Sequence, residues 1–340
     1  MKTAVVILNW NTRGYLERFL PALLSSCRGL DAEVIVADNA SDDGSTEMLS
    51  DRFPEVRTIT LERNYGFTGG YNRALDGLEA EYYVLLNSDV EVSDGWLEPL
   101  VEWMDKYPGC GVCGPKLHKP GSMEFEYAGA AGGYVDRFGY PFCRGRVLGR
   151  TEEDRGQYDT PRNVMWVSGA CLMTRSTLWK RLGGLDDRFF AHMEEIDYCW
   201  RAQLAGYQVN VVPASSVSHL GGGTLPKDSP FKLKLNYRNN LLMLENNLAS
   251  TIGRRKARFI ITGRKVLDGF SAILYLLQGK PAYFKAVLDA HREARKADST
   301  ARDANNREEV AGYCNICIIL QSLIRGKGIF DYLRNYENSH

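Results

Sequence analysis

The sequence lacks the long hydrophobic runs of membrane-spanning proteins. Its longest apolar run after the N-terminus, FSAILYLL at 270–277, is far shorter than the roughly 18 residues that cross a bilayer as a helix. The N-terminal stretch MKTAVVILNW contains one lysine and no small-residue cleavage site, so we interpret it as a first strand and not as a signal peptide. We therefore expect a cytoplasmic protein with no segment that spans a membrane.

Clustered cysteines are also absent. The eight cysteines are scattered, and the two C-x-x-C pairs, Cys110/Cys113 and Cys314/Cys317, are about two hundred residues apart in the chain. Structural zinc sites keep their ligand pairs closer together in sequence. We interpret the cysteines as small, buried, reduced thiols.

The chain has no net charge, but its charges are unevenly distributed. The 42 Lys and Arg residues balance the 42 Asp and Glu residues, and 44% of all residues are hydrophobic, enough for a sizeable core. From 228 to 340 there are 19 basic against 11 acidic residues. We expect no nucleic-acid partner; the basic C-terminal third indicates contact with an anionic surface, such as lipid headgroups, or with the acidic body itself.

Apolar runs alternate with amphipathic segments over the first hundred residues. They predict strands and helices in turn: strands at 4–10, 33–39, 56–61 and 82–90, and helices at 14–26, 44–52 and 68–79. This alternation favours an α/β fold with a mostly parallel central sheet and helices on both faces. In such sheets, ligands bind at the carboxyl ends of the strands.

The rest of the chain changes character twice. Residues 115–165 are rich in glycine and aromatic residues, which indicates long loops or short antiparallel strands near a cleft. After 228 the strand signals stop. Helical spacing of apolar residues then predicts helices at 231–249, 255–277, 281–297 and 310–325, with a polar linker at 298–309.

Polar side chains lie at the carboxyl ends of three of the predicted strands. They are Asn9 and Asn11 at the first, Asp38, Asn39 and Ser41 at the second, and Asn87, Ser88 and Asp89 at the fourth. A carboxylate such as Asp38 can accept hydrogen bonds from a nucleobase or a ribose, but Asp, Asn and Ser also favour helix starts. Asp89 beside the amide of Asn87 suits a hard divalent cation that also binds phosphate oxygens.

Two further loops are candidates for ligand contact. ERNYGFTGGYN at 62–72 has three glycines flanked by Asn64 and Asn72, and Gly66 allows close backbone approach, although a plain turn before a helix explains the pattern as well. His219 is one of five histidines and follows the last predicted strand. It is either an ordinary satisfied histidine or a ligand of Mg²⁺ or Mn²⁺ bridging a diphosphate.

The stretch HMEEIDYCW places three carboxylates at a helix start. Asp197 and Arg201 have the i,i+4 spacing of a structural ion pair with the acid first. Glu194 and Glu195 lie where backbone N–H groups stabilise anions, and they point about 100° apart, so only one of them can face a cleft directly.

Taken together, six segments of this sequence resemble glycosyltransferase family 2. They occur in the family's order and approximate spacing: VVILNWN, VIVADNASDDGS, RNYGFTGGYNRAL, LLNSDVEV, SGACLMTRSTLWKRLGGLDDRFF and EEIDYCWRAQLAGY. The similarity is greatest to rhamnosyltransferase-like bacterial members, which have a GT-A fold. It implies a GT-A catalytic domain at 1–227, with a nucleotide-sugar-binding half at 1–115 and an acceptor-binding half at 116–227, and then a mainly helical basic region at 228–340.

The resemblance also implies roles for individual residues. Asp38 would contact the nucleoside of a sugar nucleotide, and Asp89 would bind the divalent cation, with Asn87 replacing the first Asp of the family's D-x-D motif. Glu195 stands where the family has its general base, usually Asp. From their positions on the helix, we expect Glu194 to support the helix start and Asp197 with Arg201 to brace it. His219 matches a position where some relatives have a metal-binding histidine.

The activity implied by the resemblance is metal-assisted sugar transfer by single displacement, which inverts the anomeric configuration. The donor would be a UDP-, dTDP- or GDP-linked sugar, and the acceptor a saccharide or lipid-linked saccharide in bacterial cell-envelope polysaccharide biosynthesis. The alternatives are a sugar-phosphate nucleotidyltransferase, for which LNWNTRGYL lacks the expected basic Gly-rich loop, and a non-catalytic sugar-nucleotide-binding protein, which Asn87 and Glu195 leave open.

The basic C-terminal region has two interpretations. GRRKARFIITGRK at 253–265, followed by FSAILYLL, resembles a helix that lies in a membrane interface on the inner face of the cytoplasmic membrane. Alternatively, these helices pack on the catalytic body and turn their basic residues to solvent.

Overall fold

A nine-stranded sheet forms the centre of the molecule, and a separate five-stranded sheet accompanies it. The structure is a computed structural model that describes residues 1–221, 229–297 and 309–339. The strands are β1 Thr3–Asn9, β2 Ala32–Asp38, β3 Arg57–Thr60, β4 Tyr82–Asn87, β5 Val90–Val92, β6 Cys110–His118, β7 Gly133–Asp136, β8 Pro141–Cys143, β9 Arg146–Val147, β10 Arg150–Thr151, β11 Arg162–Asn163, β12 Cys171–Arg175, β13 Gln208–His219 and β14 Tyr313–Cys314. The helices are α1 Arg13–Ser26, α2 Ser45–Arg52, α3 Gly66–Leu75, α4 Glu98–Lys106, α5 Ser176–Leu182, α6 Glu194–Leu204, α7 Pro230–Ile252, α8 Arg254–Leu277, α9 Pro281–Lys296, α10 Ile318–Arg325 and α11 Ile329–Ser339.

The central sheet is parallel in the half that contains β1, β2, β3 and β4 and mixed in the other half. Its order is β11-β13-β6-β12-β4-β1-β2-β3, with β5 paired to β13. β1 pairs in parallel with both β2 and β4, which places Asn9 beside Asp38 and Leu8 beside Asn87. β12 runs antiparallel between β4 and β6. The parallel half therefore brings the polar ends of β1, β2 and β4 to one edge of the sheet.

Helices cover both faces of the sheet, as the alternating pattern predicts. Val6 and Ile35 face one way and pack with residues of α3, α5 and α6, whereas Val5 and Val36 face the other way and pack with α1, α2 and α4. Successive residues of a strand point to opposite faces, so strands that are apolar throughout are covered on both sides.

Several predicted elements have different bounds in the structure. The strand predicted at 82–90 is two strands, because the chain turns at Ser88 and Asp89 and β5 leaves to pair with β13. The helix predicted at 68–79 begins at Gly66 and ends at Leu75, where Asp76 is extended and Gly77 has a positive φ of 75°. Apolar spacing alone did not reveal either turn.

The C-terminal third contains a strand where a helix is predicted. Within 310–325, Tyr313–Cys314 forms β14, which pairs in parallel with β7, and helix α10 begins only at Ile318. The open edge of β7 offers hydrogen-bond partners to the backbone N–H and C=O groups of 313–314, and an isolated helical turn would leave more of these groups unpaired. The predicted linker lies outside the described residues except for residue 309, and so does the boundary between 227 and 228.

Helix α7 of the C-terminal region packs against α6. Leu241, Leu244 and Leu248 of α7 belong to the same buried cluster as Trp200 of α6, and the Trp200 indole N–H donates to Thr251 Oγ1 at 2.9 Å. Of the helices in the described part of the chain, none combines the length and the apolar character needed to cross a bilayer.

Gly133, at the start of β7, is the point where the five-stranded sheet contacts Trp166. A Cβ at Gly133 would lie 2.0 Å from the Trp166 ring, whose indole N–H donates to Tyr134 O at 3.1 Å. The second sheet therefore rests directly on a tryptophan of the segment that precedes β12.

We expect Gly133→Ala to lower the free energy of unfolding by about 2 kcal/mol or more, because the buried indole has to move. The matched control is Gly109→Ala, at an exposed position where a Cβ would meet nothing within 4 Å. Urea denaturation of both variants measures the difference. Equal stabilities would show that Trp166 tolerates the added methyl group.

Candidate active site

The polar ends of β1 and β2 form one hydrogen-bonded group. The Asn9 amide donates to Asp38 Oδ2 at 2.7 Å and to Ser41 Oγ at 3.1 Å, and the Ser41 N–H donates to Asp38 Oδ1 at 2.9 Å. Asn9 and Asp38 are fully buried. The Asp38 carboxylate is thus held in a fixed orientation at the edge of the sheet.

Hydrogen bonds also join the loop after β1 to the loop after β2. The Asn11 N–H donates to Ser41 Oγ at 2.9 Å, and Asn11 Oδ1 accepts from the Asp42 N–H at 2.9 Å. Thr12 extends the connection, because its hydroxyl donates to Ser88 Oγ at 2.8 Å. Sequence reasoning missed Thr12, although it stands three residues after Asn9 on the same loop.

The Asn39 side chain fixes the loop before α3. Its amide donates to Asn64 Oδ1 and to Gly66 O, both at 3.0 Å, and its Oδ1 accepts from the Tyr65 N–H. Gly66 has a φ of 71°, and a Cβ there would lie 2.4 Å from the Phe190 ring. This position therefore requires glycine.

Asn72 lies further along α3 and faces a different partner. Its amide donates to Leu185 O and to Asp187 Oδ1, both at 2.8 Å, and its Oδ1 accepts from the Leu185 N–H. These bonds join α3 to the segment before α6. Asn72 contacts this segment and not the side chains at the strand ends, so its donor contact stays a prediction.

Asp89 and His219 meet because β5 pairs with β13. This pairing sets His219 opposite Val90, beside Asp89, and its Nε2 lies 3.2 Å from Asp89 Oδ1. The other ring nitrogen, Nδ1, lies 3.4 Å from Glu126 Oε2. Sequence reasoning missed Glu126, which falls in the Gly-rich region with no motif around it.

The surroundings of His219 favour its charged form when no cation is bound. Burial lowers the pKa of the imidazole, but the contacts with Asp89 and Glu126 outweigh burial and raise it to about 9. No group of three or more His, Cys, Asp or Glu residues suited to a metal ion occurs within 1–221, 229–297 and 309–339. Asp89 and His219 are nevertheless an oxygen and a nitrogen donor in contact, which fits a cation whose remaining ligands are phosphate oxygens and water.

The carboxylates of Glu194 and Glu195 lie at the N-terminus of α6. The chain enters the helix through His192 and Met193, both with φ above 70°. Glu194 is buried and Glu195 is partly exposed, and the Oε2 atom of each is buried with no hydrogen-bond partner among the described residues. Burial raises the pKa of Glu194 well above its usual value and raises that of Glu195 to about 7.

Glu195 is linked to the end of β4 through the segment before β12. A Cβ at Gly169 would lie 3.5 Å from Glu195 Cβ and 3.4 Å from Phe67 Cζ. The next residue, Ala170, accepts a hydrogen bond at 2.9 Å from the Asn87 N–H. The base candidate and the strand-end residues therefore lie on one continuous wall.

Asp197 is a buried hub between α6 and α7. Its carboxylate accepts from Arg201 Nε at 2.6 Å, the predicted ion pair, and from the amides of Asn246 and Asn247 at 2.9 and 2.8 Å. Arg201 also donates to Gly184 O at 2.9 Å. The two asparagines were missed because they lie about 50 residues downstream.

Comparison with known proteins identifies the family of this chain. The sequence profile described as "Glycosyl transferase family 2" matches residues 4–181, which is more than half of the chain. The chain belongs to glycosyl transferase family 2. Membership favours sugar transfer over nucleotidyl transfer and confirms the resemblance in the six segments.

Relatives and solved structures agree with this family. The N-acetylglucosaminyl-diphospho-decaprenol L-rhamnosyltransferase of Mycobacterium tuberculosis is 27% identical over 71% of this chain and 83% of its own length. GalNAc-T7 with UDP, GalNAc and Mn²⁺ matches with a TM-score of 0.57 at 17% identity, over 72% of this chain and 48% of its own. S. aureus TarS 1–349 in complex with UDP-GlcNAc matches with a TM-score of 0.56 at 16% identity. The match covers 88% of this chain and 84% of the TarS chain. The GT-A fold predicted for this glycosyltransferase is thereby confirmed.

We expect Asp197→Asn to destabilise this glycosyltransferase by about 3 kcal/mol, because it leaves the buried Arg201 guanidinium without its charge partner. Asp289→Asn is the matched control, since it removes an ion pair to Arg292 at the helix surface. Asp289→Asn should lower the free energy of unfolding by less than about 1 kcal/mol. Chemical denaturation compares the two, and an equal loss in both would contradict the role of Asp197 as a hub.

Proposed function

We propose that this protein transfers a hexose, in the simplest case rhamnose, from a nucleotide-linked donor to a hydroxyl of a lipid-linked saccharide, with inversion at the anomeric carbon. The observation that carries the proposal is the wall formed by Glu195, Gly169, Ala170 and Asn87. It places a carboxylate with a raised pKa next to the strand ends where a nucleotide binds in α/β sheets.

The donor would lie along the ends of β1, β2 and β4. Asp38, held by Asn9 and Ser41, is positioned for the nucleoside, and the Thr12–Ser88 bridge borders the same edge. Asp89 and His219 would hold a divalent cation, which offsets charge on the departing diphosphate when it is bound. A solved neighbour that contains UDP and Mn²⁺ supports this arrangement.

Glu195 is the better candidate for the general base. An acceptor hydroxyl is a poor nucleophile, and a carboxylate within hydrogen-bond reach removes its proton during attack on the anomeric carbon. Glu195 keeps some exposed surface although its Oε2 is buried, whereas Glu194 is buried as a whole, so Glu195 is the one that a substrate can approach more closely. A single base that activates the acceptor hydroxyl for direct attack on the anomeric carbon corresponds to a single displacement, which inverts the configuration.

The acceptor is inferred from the relatives. The mycobacterial relative is named for adding L-rhamnose to a diphospho-decaprenol-linked N-acetylglucosamine. We propose an acceptor of the same chemical class, a saccharide on a polyprenyl diphosphate, for this chain. Such an acceptor resides in a membrane, so the enzyme would work at the inner face of the cytoplasmic membrane.

Helix α8 has the surface that a membrane contact requires. Its basic N-terminal turn is followed by an apolar stripe at helical spacing: Phe259, Val266, Phe270, Ile273, Leu274 and Leu277, all at least half exposed. The opposite side of α8, which includes Ala257 and Ala272, is buried against α7 and α9. Exposed apolar side chains beside Arg255, Lys256 and Arg258 match an anionic lipid surface.

We expect Glu195→Gln to reduce turnover at least about a hundredfold while nucleotide binding is retained, because the amide cannot accept the proton of the acceptor hydroxyl. Release of nucleoside diphosphate from UDP-, dTDP- and GDP-sugars measures turnover, and calorimetry measures nucleotide binding. Glu194→Gln is the matched control. If Glu194→Gln proves the inactivating change, the two glutamates have exchanged roles, and if the wild type releases nothing with any donor, the protein is a binding protein.

We expect the double substitution Phe270→Glu with Leu277→Glu to abolish sedimentation with liposomes that contain anionic lipid. The added charges oppose both burial of the stripe and attraction to the headgroups. Met123→Glu, at an exposed apolar position outside α8, should leave binding intact. Failure of the wild type to bind such liposomes at low salt would overturn the membrane contact.

A further inference from the structure

We infer that Glu126 is a positioning residue that orients the His219 imidazole toward Asp89 and thereby raises the affinity of this site for a divalent cation. The inference rests on the proposed metal-assisted transfer. Glu126 would not bind the cation; it would act through the second nitrogen of the ring.

The geometry around His219 carries this inference. Nε2 lies 3.2 Å from Asp89 Oδ1 and Nδ1 lies 3.4 Å from Glu126 Oε2, so the ring stands between two carboxylates. All three side chains are at most 8% exposed. Nδ1 is buried with no closer partner among the described residues. Among the described residues, a proton on Nδ1 therefore faces Glu126, which leaves Nε2 directed at Asp89.

The fold holds Glu126 rigidly in this place. Its N–H donates to Leu117 O at 2.9 Å, and Leu117 is paired with Val217 where β6 runs beside β13. Its Oε2 accepts from the Ala128 N–H, which fixes the carboxylate. The preceding Phe125 is fully buried and stacks on His118. Glu126 is thus held beside β6, the strand that pairs with the β13 strand of His219.

The chemistry of metal-bound histidines explains what this contact does. A histidine binds a cation through a neutral ring nitrogen, and its other N–H is usually held by a carboxylate or carbonyl that fixes the tautomer and the ring orientation. Glu126 provides that carboxylate. Because the described residues provide two ligands, Asp89 and His219, the affinity of the site depends strongly on how well each is oriented.

The test compares Mn²⁺ binding by wild type and Glu126→Gln. Electron paramagnetic resonance measures Mn²⁺ affinity in the presence of whichever of UDP, dTDP or GDP binds most tightly. We expect Glu126→Gln to weaken Mn²⁺ binding about 10- to 100-fold, with nucleotide binding in the absence of metal unchanged. In the transfer assay, the Mn²⁺ concentration for half-maximal rate should rise, while the rate at saturating Mn²⁺ is restored.

Two control variants make the result decisive. Glu124→Gln removes a carboxylate of the same segment that pairs with Lys119, and it should leave Mn²⁺ affinity unchanged. Glu126→Asp keeps the charge at a shorter reach, so its Mn²⁺ affinity should lie between those of wild type and Glu126→Gln. If Glu126→Gln misfolds, this graded effect in Glu126→Asp is the test, and wild-type affinity in a folded Glu126→Asp would overturn the inference.

The outcomes also separate this inference from the proposed function. Loss of Mn²⁺ binding in His219→Ala with wild-type affinity in Glu126→Gln would overturn the role of Glu126 and leave the metal site in place. Unchanged Mn²⁺ binding in both His219→Ala and Asp89→Ala would instead overturn the metal site itself. A parallel loss in Glu126→Gln and His219→Ala, with intact nucleotide binding, supports the inference.

Discussion

The buried carboxylate of Asp197 determines how the N-terminus of α6 is held. It accepts hydrogen bonds from Arg201 within the helix and from Asn246 and Asn247 on α7, all in a fully buried position. A buried charge costs free energy unless every lone pair has a partner, so these four residues can pack in few ways. The orientation of α6, and with it the direction of Glu195, depends on this group.

The same interface extends to the segment that leads into α6. The Asn239 amide of α7 donates to the carbonyls of Phe189, Ala191 and His192, and Arg188 donates to Asn246 Oδ1. These bonds fix the turn with positive φ angles from which Glu194 and Glu195 emerge. Helix α7 of the C-terminal region therefore supports the candidate catalytic helix and is more than an appended tail.

Much of the N-terminal half could be predicted from the sequence, because its signals are local. Apolar runs that end in Asn9, Asp38 and Asn87 indicate strands whose polar ends share an edge, and parallel pairing in the structure puts them there. The Asp197–Arg201 pair also follows from helical spacing alone. In each case, the deciding residues are neighbours in sequence or lie at the ends of strands that local patterns already predict.

The remaining features depend on pairing between distant segments. The split of the predicted strand at 82–90 sends β5 to β13, and this pairing brings Asp89 to His219, whose other ring nitrogen faces Glu126. Likewise, β14 forms because β7 offers an open edge, although its residues have helical spacing. Asn246 and Asn247 are unremarkable asparagines in the sequence. Their roles follow from tertiary contacts that no local pattern encodes.

In the proposed function, Glu195 is a base that works near neutral pH because burial raises its pKa to about 7. The most direct measurement is the pH dependence of kcat/KM for the acceptor at saturating donor. Because the base must be ionised, the rate should fall tenfold per pH unit below an apparent pKa of about 7 in the wild type. A rate that stays constant down to pH 5 would contradict the claim.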